Sequence, residues 1–528
     1  MSERTGIGTN ATQTWGDLCR ELRRDSLALI QGGIPIYLDE ACERKTLALP
    51  VSVSAHFGAY PLEKQAGFGT LFEHFKEKWV SKRVDAEGAR TWATVPSLAD
   101  INLLYPTSSH SALVFRIGLH RDLAAWHDDD LGLNTPLSEK EVDINEPSLG
   151  YIHAEDSHYA FTLGRFPVQW SPSPDFGLTL SRSVPYHNGA EFALKMQAVT
   201  YRFLVSSLNP WLEGTPSGDS ASEEYPVGSE EYRQRHYPSD HAASLYHNRV
   251  YADRIKTLFA HRLEGSLGPL TLGITEAQVI GGKPPELRDA GPFIFFHNDF
   301  KEGYANGALG LDAALRLPAG FALAAEYYID DVGYAETETE GNSASLHGFM
   351  VSVRRSMAMR GWLIGQGIHV IRTDPYLYGY LQPLNTMSSR RVLASNRQLP
   401  GDSLYVDKYV IDFPIGYLRG GDALDFWYRA DAWRGRNLHF ALAAAWLNKG
   451  ETDLYTPYET YYSAQHSSPS GIATREFRVR IEGEYRLKHG LTAGAGGAWQ
   501  SISDQGHVQG RDMERIQASA FLAWNMPE

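Results

Sequence analysis

Apolar and charged side chains alternate along residues 474–487, which gives the clearest structural signal in the chain. Phe477, Val479 and Ile481 occupy odd positions, whereas every even position from 476 to 486 carries Glu or Arg. A period of two places these sets on opposite faces of a β-strand. In a soluble sandwich the apolar face would pack against a second sheet. In an outer-membrane barrel it would contact lipid, and the charges would line a wet lumen.

The same alternation recurs from about Trp92 onward, and the connections between the alternating segments are of two kinds. Tight turns are predicted at residues 265–268, 318–320, 357–360, 434–436 and 488–490. Long polar loops are predicted at residues 209–249, 281–302, 331–343, 372–423, 449–473 and 502–512. Short periplasmic turns that alternate with long extracellular loops are typical of an outer-membrane β-barrel.

Counting strands back from the C-terminal end predicts an all-β protein: a transmembrane antiparallel β-barrel of about 18 strands over residues 91–528. The count requires that residues 372–423 form one extracellular excursion, in which residues 404–417 are a loop strand and not a spanning strand. The first third fits less well, because residues 121–145 would form a long loop on the short-turn side. A barrel of about 20 strands is the alternative.

Residues 1–90 are predicted to form a small N-terminal periplasmic segment with short helices. Apolar residues recur at helical spacing over residues 13–30 and again over residues 68–84. Such helices are candidates for a cap on the barrel or a plug in its lumen. The alternative is that they are ordinary helices packed against a sheet.

Composition and charge narrow the possible functions. The net charge of −14 argues against nucleic acid as a partner, because binding to a phosphate backbone requires a basic surface. The sequence contains no run of 18 apolar residues, which excludes a membrane-spanning helix. Aromatic residues make up 12% of the chain, which fits the interfacial belts of a barrel. The two cysteines, Cys19 and Cys42, are predicted either to form one disulfide or to remain thiols.

The N-terminal sequence MSERTGIGTN has neither the apolar core nor the cleavage site of a signal peptide. Taken alone, it predicts a cytosolic protein. The barrel interpretation instead predicts the cell outer membrane, with a signal peptide that was removed or is encoded upstream.

Common catalytic motifs do not occur in the sequence, which has no Walker loop, no GxSxG and no HExxH. Three histidines within residues 236–247 are irregularly spaced and do not predict a metal site. The acidic run at residues 128–130 is interpreted as a solvated loop. We therefore expect no cofactor and no metal, and we predict that the chain is not an enzyme.

Charged residues on the predicted strands are assigned to the lumen. They are Arg262, Arg354, Arg429, Asp431, Arg478, Arg480, Glu482 and Glu484. Because buried charges need partners, the first interpretation is a cross-strand ionic network that plugs the barrel. The alternative is a charged conduit that selects acidic sugars.

Tyrosines cluster in two of the long loops and are candidate polysaccharide-binding residues. They are Tyr376, Tyr378, Tyr380, Tyr455, Tyr458, Tyr461 and Tyr462. A phenol ring offers an apolar face and a polar tip, which suits stacking on a sugar ring. The alternatives are packing within the loops and an interfacial belt.

The segment GRFPVQWSPSPDFGLTLSR at residues 164–182 resembles a segment of the Wzi-type capsule assembly family, and further similar blocks follow in order. These blocks are AHRLE at 260–264, LGITE at 272–276, GG at 281–282, FFH at 295–297, NGALGLD at 306–312 and EYYIDD at 326–331. The resemblance implies an outer-membrane barrel of about 18 strands with a small periplasmic helical part. It also implies a lectin-like, non-catalytic role in attaching capsular polysaccharide to the cell surface.

Three hypotheses are consistent with these residues. The first is an outer-membrane barrel that binds or anchors capsular or extracellular polysaccharide and assists capsule assembly, with outer-membrane lipid as a second partner and a monomer favoured. The second is a polysaccharide exporter or substrate-specific porin with a charged lumen. The third is a soluble all-β carbohydrate-active enzyme. Such a protein would partition into the aqueous phase without detergent and would hydrolyse a glycan.

Overall fold

The structure is a computed structural model, and it describes most of the predicted barrel. The described residues are 51–59, 81–83, 86, 92–93, 95–108, 110–128, 132–144, 148–208, 255–281, 284–286, 289, 291, 305–331, 346–379, 385–398, 404–435, 437–454, 456 and 468–525. Residues 1–50 lie outside this set, and with them the predicted helix at 13–30 and both cysteines.

Strands dominate the described residues. They are β1 Val51–Ala59, β2 Ser81–Arg83, β3 Ala99–Ser108, β4 Ser111–Arg121, β5 Val142–Asp143, β6 Leu149–Glu155, β7 Tyr159–Phe166, β8 His187–Met196, β9 Val199–Leu208, β10 Lys256–Leu267, β11 Leu270–Gly281, β12 Ala305–Leu317, β13 Phe321–Asp331, β14 Leu346–Met359, β15 Trp362–Thr373, β16 Ser388–Gln398, β17 Leu404–Pro414, β18 Ala423–Arg434, β19 Leu438–Lys449, β20 Thr474–Arg486, β21 Leu491–Ser503 and β22 Met513–Asn525. One short helix, α1, spans Leu123–Asp128, and single 3-10 turns span Glu139–Glu141, Pro318–Gly320 and Gln505–His507.

Eighteen of these strands form one closed antiparallel barrel, which confirms the predicted fold class and strand count. β1 closes the sheet, because it pairs with β22 on one side and with β3 on the other. The remaining barrel strands pair in chain order, with β6 following β4 and β18 following β15. Closure leaves no unpaired edge in the wall, as a strand-built membrane protein requires.

The apolar face of the wall points outward. In β20, Phe477 and Ile481 are 41% and 57% exposed, whereas the inward-facing Glu476 is buried. A water-soluble sheet would bury the apolar set, so this arrangement indicates that lipid is the solvent of the outer wall. No helix among the described residues is long and apolar enough to cross a bilayer.

Aromatic side chains on the outer wall form two belts. One, near the long-connection end, includes Phe426, Trp446 and Phe477, which occupy equivalent positions on neighbouring strands. The other, near the short-turn end, includes Trp362 and Phe440, whose ring centroids are 6.2 Å apart. Aromatic rings are enriched at the two membrane–water interfaces, so the belts mark the edges of the apolar band.

Every short connection between barrel strands lies at one end of the barrel and every long connection at the other. The excursion between β15 and β18 contains β16 and β17, which pair with each other and with β2 in a separate sheet. As predicted, residues 404–417 are therefore not part of the wall. The prediction for residues 121–145 was wrong. The connection from β4 to β6 lies at the long-connection end, because four wall strands, β6 to β9, separate it from the long connection between β9 and β10.

The predicted boundary at residue 91 also needs correction. β1 lies inside the segment 1–90 that was assigned to the periplasm, yet it belongs to the barrel wall. Within the predicted helix at 68–84, residues Ser81–Arg83 form β2, and residues 68–80 lie outside the described set. The sequence of β1, VSVSAHFGA, alternates at its start between Val and Ser, so the period of two was available as a signal.

Candidate functional site in the barrel lumen

Two long connections fold into the interior of the barrel. The first inward connection is residues 167–186, between β7 and β8. The second inward connection is the described part of residues 374–422, between β15 and β18, which comprises 374–379, 385–398 and 404–422. The first reaches wall strands on widely separated sides. Its Trp170 donates its indole N–H to Glu191 of β8 at 3.0 Å, and its Asp175 lies 3.3 Å from His369 of β15. The first inward connection therefore crosses the lumen.

Glu326, on the inner face of β13, holds the middle of the first inward connection. Its carboxylate accepts hydrogen bonds from the backbone N–H groups of Leu178 at 2.9 Å and Thr179 at 2.8 Å. The hydroxyl groups of Thr179 and Ser171 donate to the same carboxylate at 2.5 and 2.8 Å. A buried carboxylate is stable only when its lone pairs are occupied, and these four donors meet that need.

A glycine in the wall makes room for this anchor. A Cβ atom at Gly310 of β12 would lie 2.2 Å from the hydroxyl oxygen of Thr179. A larger residue there would push Thr179 away from Glu326. The close approach of the connection to the wall therefore depends on the absence of a side chain at position 310.

The two inward connections pack against each other. The phenol of Tyr378, in the second connection, donates to the carbonyl of Leu178 at 2.6 Å and accepts from the backbone N–H of Tyr417 at 3.0 Å. The backbone N–H of Ser181 donates to the carbonyl of Ile415 at 3.0 Å. Leu178, Tyr378 and Ile415 have no exposed surface. The lumen is therefore filled by a packed core where the two inward connections meet.

The second inward connection is also tied to the wall. The backbone N–H of Tyr378 donates to Asp330 of β13 at 2.6 Å, and the amide of Asn306 on β12 donates to the carbonyl of Asn385 at 3.0 Å. The ammonium of Lys256 on β10 donates to the hydroxyl of Thr386 at 3.2 Å and is almost fully buried. These contacts hold the second connection against three strands.

Burial and hydrogen bonding shift the pKa values of groups in the inward connections. Burial strongly raises the pKa of the phenols of Tyr378 and Tyr417, which keeps both protonated and able to donate. The pKa of Asp175 is lowered overall. Burial alone would raise it, but the hydrogen bond with His369 and the positive charges of Arg354 and Arg429 outweigh that effect. Asp175 is therefore an anion that ties the first connection to the wall.

The predicted lumen charges lie on the inner wall, and most are paired. The guanidinium of Arg262 binds Asp312 of β12 at 2.5 and 2.9 Å, Glu264 at 3.1 Å and the hydroxyl of Thr275 at 3.0 Å. To reach Asp312, Arg262 crosses Gly273 on the intervening strand, where a Cβ atom would lie 2.3 Å from a guanidinium nitrogen.

Apart from Arg354, whose buried Nε has no hydrogen-bond partner, the remaining charges form short-range pairs, mostly along single strands. Arg429 donates to Asp431 at 2.7 and 3.0 Å, and Arg478 donates to Glu476 at 2.8 Å. Arg480 pairs with Glu482. Two further pairs involve His439, which lies 3.1 Å from Asp431 and 3.7 Å from Glu484.

Along β20, the exposure of these side chains increases toward the short-turn end. Near the long-connection end, the Glu476 side chain is 4% exposed, whereas Arg429 and Glu484, nearer the short turns, are 53% and 41% exposed. The interior is therefore dry where the inward connections fill it and wetter below them.

Two of the seven candidate tyrosines lie among the described residues, and both are buried. Tyr376 and Tyr378 are 7% and 0% exposed, because the second inward connection folds into the lumen rather than outward. Neither presents a ring face to the outside. Tyr380, Tyr455, Tyr458, Tyr461 and Tyr462 lie outside the described residues.

Sequence reasoning missed Glu326, Ser171 and Thr179, the residues that anchor the first connection. An available signal was their position, because all three fall within the blocks 164–182 and 326–331. Their roles depend on a contact between residues far apart in the chain, which a local pattern does not reveal.

A Ser–His–Asp group occurs near the start of β3, but it does not have the geometry of a catalytic triad. The Ser97 hydroxyl lies 3.0 Å from Nε2 of His120 and donates to Asp100 at 2.9 Å. In a triad the carboxylate orients the imidazole, whereas here it accepts from the serine. All three residues are buried. No group of three or more metal-ligating side chains occurs among the described residues.

A closed 18-stranded barrel with an apolar outer wall and a charged interior defines an outer-membrane β-barrel protein. Among solved structures, this chain is similar to Wzi from Escherichia coli, an outer-membrane protein involved in group 1 capsule assembly and a carbohydrate-binding β-barrel. The TM-score is 0.54 at 11% identity, covering 99% of this chain and 95% of that one. At this identity the likeness shows the shared fold.

Other barrels match less well. OprD from Pseudomonas aeruginosa gives a TM-score of 0.38 at 10% identity, covering 92% of this chain and 95% of that one. A BenF-like porin from Pseudomonas fluorescens Pf-5 gives 0.40 at 8% identity, covering 90% and 97%. No protein-family model and no curated protein sequence matches this chain.

Proposed function

We propose that this protein binds capsular or other extracellular polysaccharide at the cell surface, helps to hold it there, and performs no catalysis. The observation that carries the proposal is the packed core of the two inward connections, with Leu178, Tyr378 and Ile415 fully buried. A barrel filled in this way suits an anchor better than a passage for a polymer. The carbohydrate-binding description of Wzi, and the blocks that resemble its family, support polysaccharide as the ligand class.

The wall charges support the same choice. Arg262 is neutralised by Asp312 and Glu264, Arg429 by Asp431, and Arg480 by Glu482. A conduit for acidic sugars would need unneutralised positive charge along its path. Paired charges instead cancel most of each other's field, so they offer little attraction to an acidic polymer.

The polysaccharide is proposed to bind at the long-connection end, which faces the cell exterior in barrels of this class. Tyr455, Tyr458, Tyr461 and Tyr462 lie in the connection between β19 and β20 and remain the candidate contacts, as does Tyr380 between β15 and β18. Their phenol rings suit the apolar faces of sugar rings.

Binding of purified protein in detergent to the capsular polysaccharide of the producing strain tests the proposal. Replacing Tyr455, Tyr458, Tyr461 and Tyr462 with Ala is expected to weaken binding by about tenfold or more, at about 1 kcal/mol for each well-used ring. Tyr485→Ala is the matched control, because Tyr485 is half-exposed on the outer wall at the short-turn end. Absence of binding by the wild-type protein to any extracellular polysaccharide of that strain would overturn the proposal.

A second candidate, an exporter or substrate-specific porin, is favoured by the wetter lower lumen, where Arg429 and Glu484 remain partly exposed. Conductance in planar bilayers distinguishes the polysaccharide anchor from the exporter or porin. The anchor proposal expects the wild-type protein to conduct poorly, whereas a porin would give stable open channels that the substrate blocks.

A further inference from the structure

Two arginines project from the outer wall close to its long-connection end. Arg372 lies on β15 on the same face as the exposed Ile368 and Val370, and its side chain is 54% exposed. Arg475 lies on β20 on the same face as the exposed Phe477, and it is exposed. Both therefore point away from the lumen.

The two arginines belong to one row across the sheet. Arg372 pairs in register with Leu424 of β18, Leu424 with Asn448 of β19, and Asn448 with Arg475 of β20. Three strand spacings of about 4.8 Å separate the two backbones by about 14 Å. Arginine side chains at this separation can bind groups of one large headgroup or of two adjacent headgroups.

The row lies just beyond the upper aromatic belt. On β18, β19 and β20, the next outward residues toward the barrel centre are Phe426, Trp446 and Phe477. Aromatic belts mark the level of the headgroups, so the arginines lie at or just above that level in the outer leaflet. An arginine on a lipid-facing wall is costly at the midplane and tolerated at the interface, where it can meet anions.

Arg372 forms an ion pair with Asp374, yet its side chain stays 54% exposed and can contact a second anion. The guanidinium of Arg372 has Asp374 at 3.6 Å, which is longer than a good charge-assisted hydrogen bond. Phe349, which pairs in register with Arg372, is 48% exposed and supplies an apolar neighbour for an acyl chain.

We propose that Arg372 and Arg475 form a binding site for the phosphate groups of a glycolipid in the outer leaflet. A guanidinium binds phosphate through paired N–H donors, and the aromatic belt below accommodates the acyl chains. This site lies on the outside of the wall, apart from the lumen and from the polysaccharide contacts proposed above. It fixes the height of the barrel in the membrane and recruits lipid around the long-connection end.

The short-turn end supplies a matched control. Arg434 also points outward, but its guanidinium lies 5.7 Å from the ring centre of Trp362, in the lower aromatic belt. It is exposed and carries the same charge, but it faces the inner leaflet. Arg434→Gln therefore removes one outward charge without touching the proposed site.

The test compares wild-type protein, Arg372→Gln/Arg475→Gln and Arg434→Gln in mixed micelles. The micelles contain lipopolysaccharide or, in a parallel arm, phosphatidylglycerol, and bound lipid is measured by native mass spectrometry. A third arm uses inorganic phosphate alone. Intact folding is checked by the shift in gel mobility on heating, and Arg372→Lys/Arg475→Lys provides a variant that keeps both charges.

We expect the double Gln variant to bind lipopolysaccharide about tenfold or more weakly, at about 1 kcal/mol for each arginine. Arg434→Gln should bind within about twofold of wild type, and the Lys variant should fall between. Equal binding by the double Gln variant and the wild type overturns the proposal. It is also overturned if inorganic phosphate or phosphatidylglycerol binds the wild type as well as lipopolysaccharide does, because the site would then be a general anion site.

Discussion

Thr179 donates both its backbone N–H, at 2.8 Å, and its hydroxyl, at 2.5 Å, to the carboxylate of Glu326 on β13 of the wall. One residue of a connection is thus held twice by one residue of a strand far away in sequence. This contact ties the first inward connection to the barrel wall. We therefore expect that it helps to keep the lumen filled.

Glu326→Ala is expected to loosen the first inward connection, because it leaves buried N–H and hydroxyl donors without an acceptor. The expected cost is about 2–4 kcal/mol in the free energy of unfolding, measured with urea in micelles. Conductance in planar bilayers should rise at the same time. Glu482→Ala is the control, since Glu482 is 32% exposed and should cost less than about 1 kcal/mol. A stable Glu326→Ala variant with wild-type conductance would contradict the assigned role.

Gly273→Ala is expected to separate Arg262 from Asp312, because the new Cβ would lie 2.3 Å from the guanidinium and 2.6 Å from the carboxylate. We expect a loss of about 2–4 kcal/mol, since a displaced buried charge keeps its desolvation cost without its partner. Gly265→Ala, on the neighbouring strand, has no atom within 4 Å of the added Cβ. The midpoints of thermal unfolding of Gly273→Ala and Gly265→Ala test this expectation, and equal midpoints would contradict it.

Tyr378→Phe is expected to weaken the contact between the two inward connections. It removes the donor to the carbonyl of Leu178 and the acceptor for the N–H of Tyr417. The expected cost is about 1–3 kcal/mol. Protease cleavage within residues 374–422 should become faster, whereas Tyr485→Phe on the outer wall should leave both measurements unchanged. Unchanged protection in Tyr378→Phe would show that packing alone holds the connections together.

Acid is expected to weaken the attachment of the first inward connection through Asp175. Its folded pKa is lowered, so its ionised form contributes stability above the unfolded pKa of about 3.9. That contribution disappears as the pH falls through the lower folded value. Urea midpoints of wild type and Asp175→Asn, measured from about pH 7 to about pH 3, should therefore converge in acid. A constant difference across this range would exclude a contribution from ionised Asp175.

The wall of the barrel could be predicted from the sequence because the relevant physics is local. Phe477 and Ile481 alternate with charged neighbours. A period of two determines which side of the strand each residue occupies, and this does not depend on what the strand packs against. The tight turns, such as Pro318–Gly320, were also visible, since each follows from a few adjacent residues. Parity along the chain then gave the number of strands.

The contents of the lumen could not be predicted in the same way. Residues 372–423 were expected to extend outward as a loop, yet Tyr376 and Tyr378 lie in the packed interior. A polar connection with scattered aromatic residues has the same local pattern whether it folds outward or inward. Which path it takes depends on partners such as Leu178 and Asp330, which are distant in sequence.

The meeting of β1 and β22 has a consequence for biogenesis. Ala55 lies opposite Trp524 and Ala59 opposite Ala520, so the seam of the cylinder joins the earliest and latest strands to be synthesised. Each of the two offers the other its hydrogen-bonding edge only after translation of everything between them. The cylinder can therefore close only once its final strand is available.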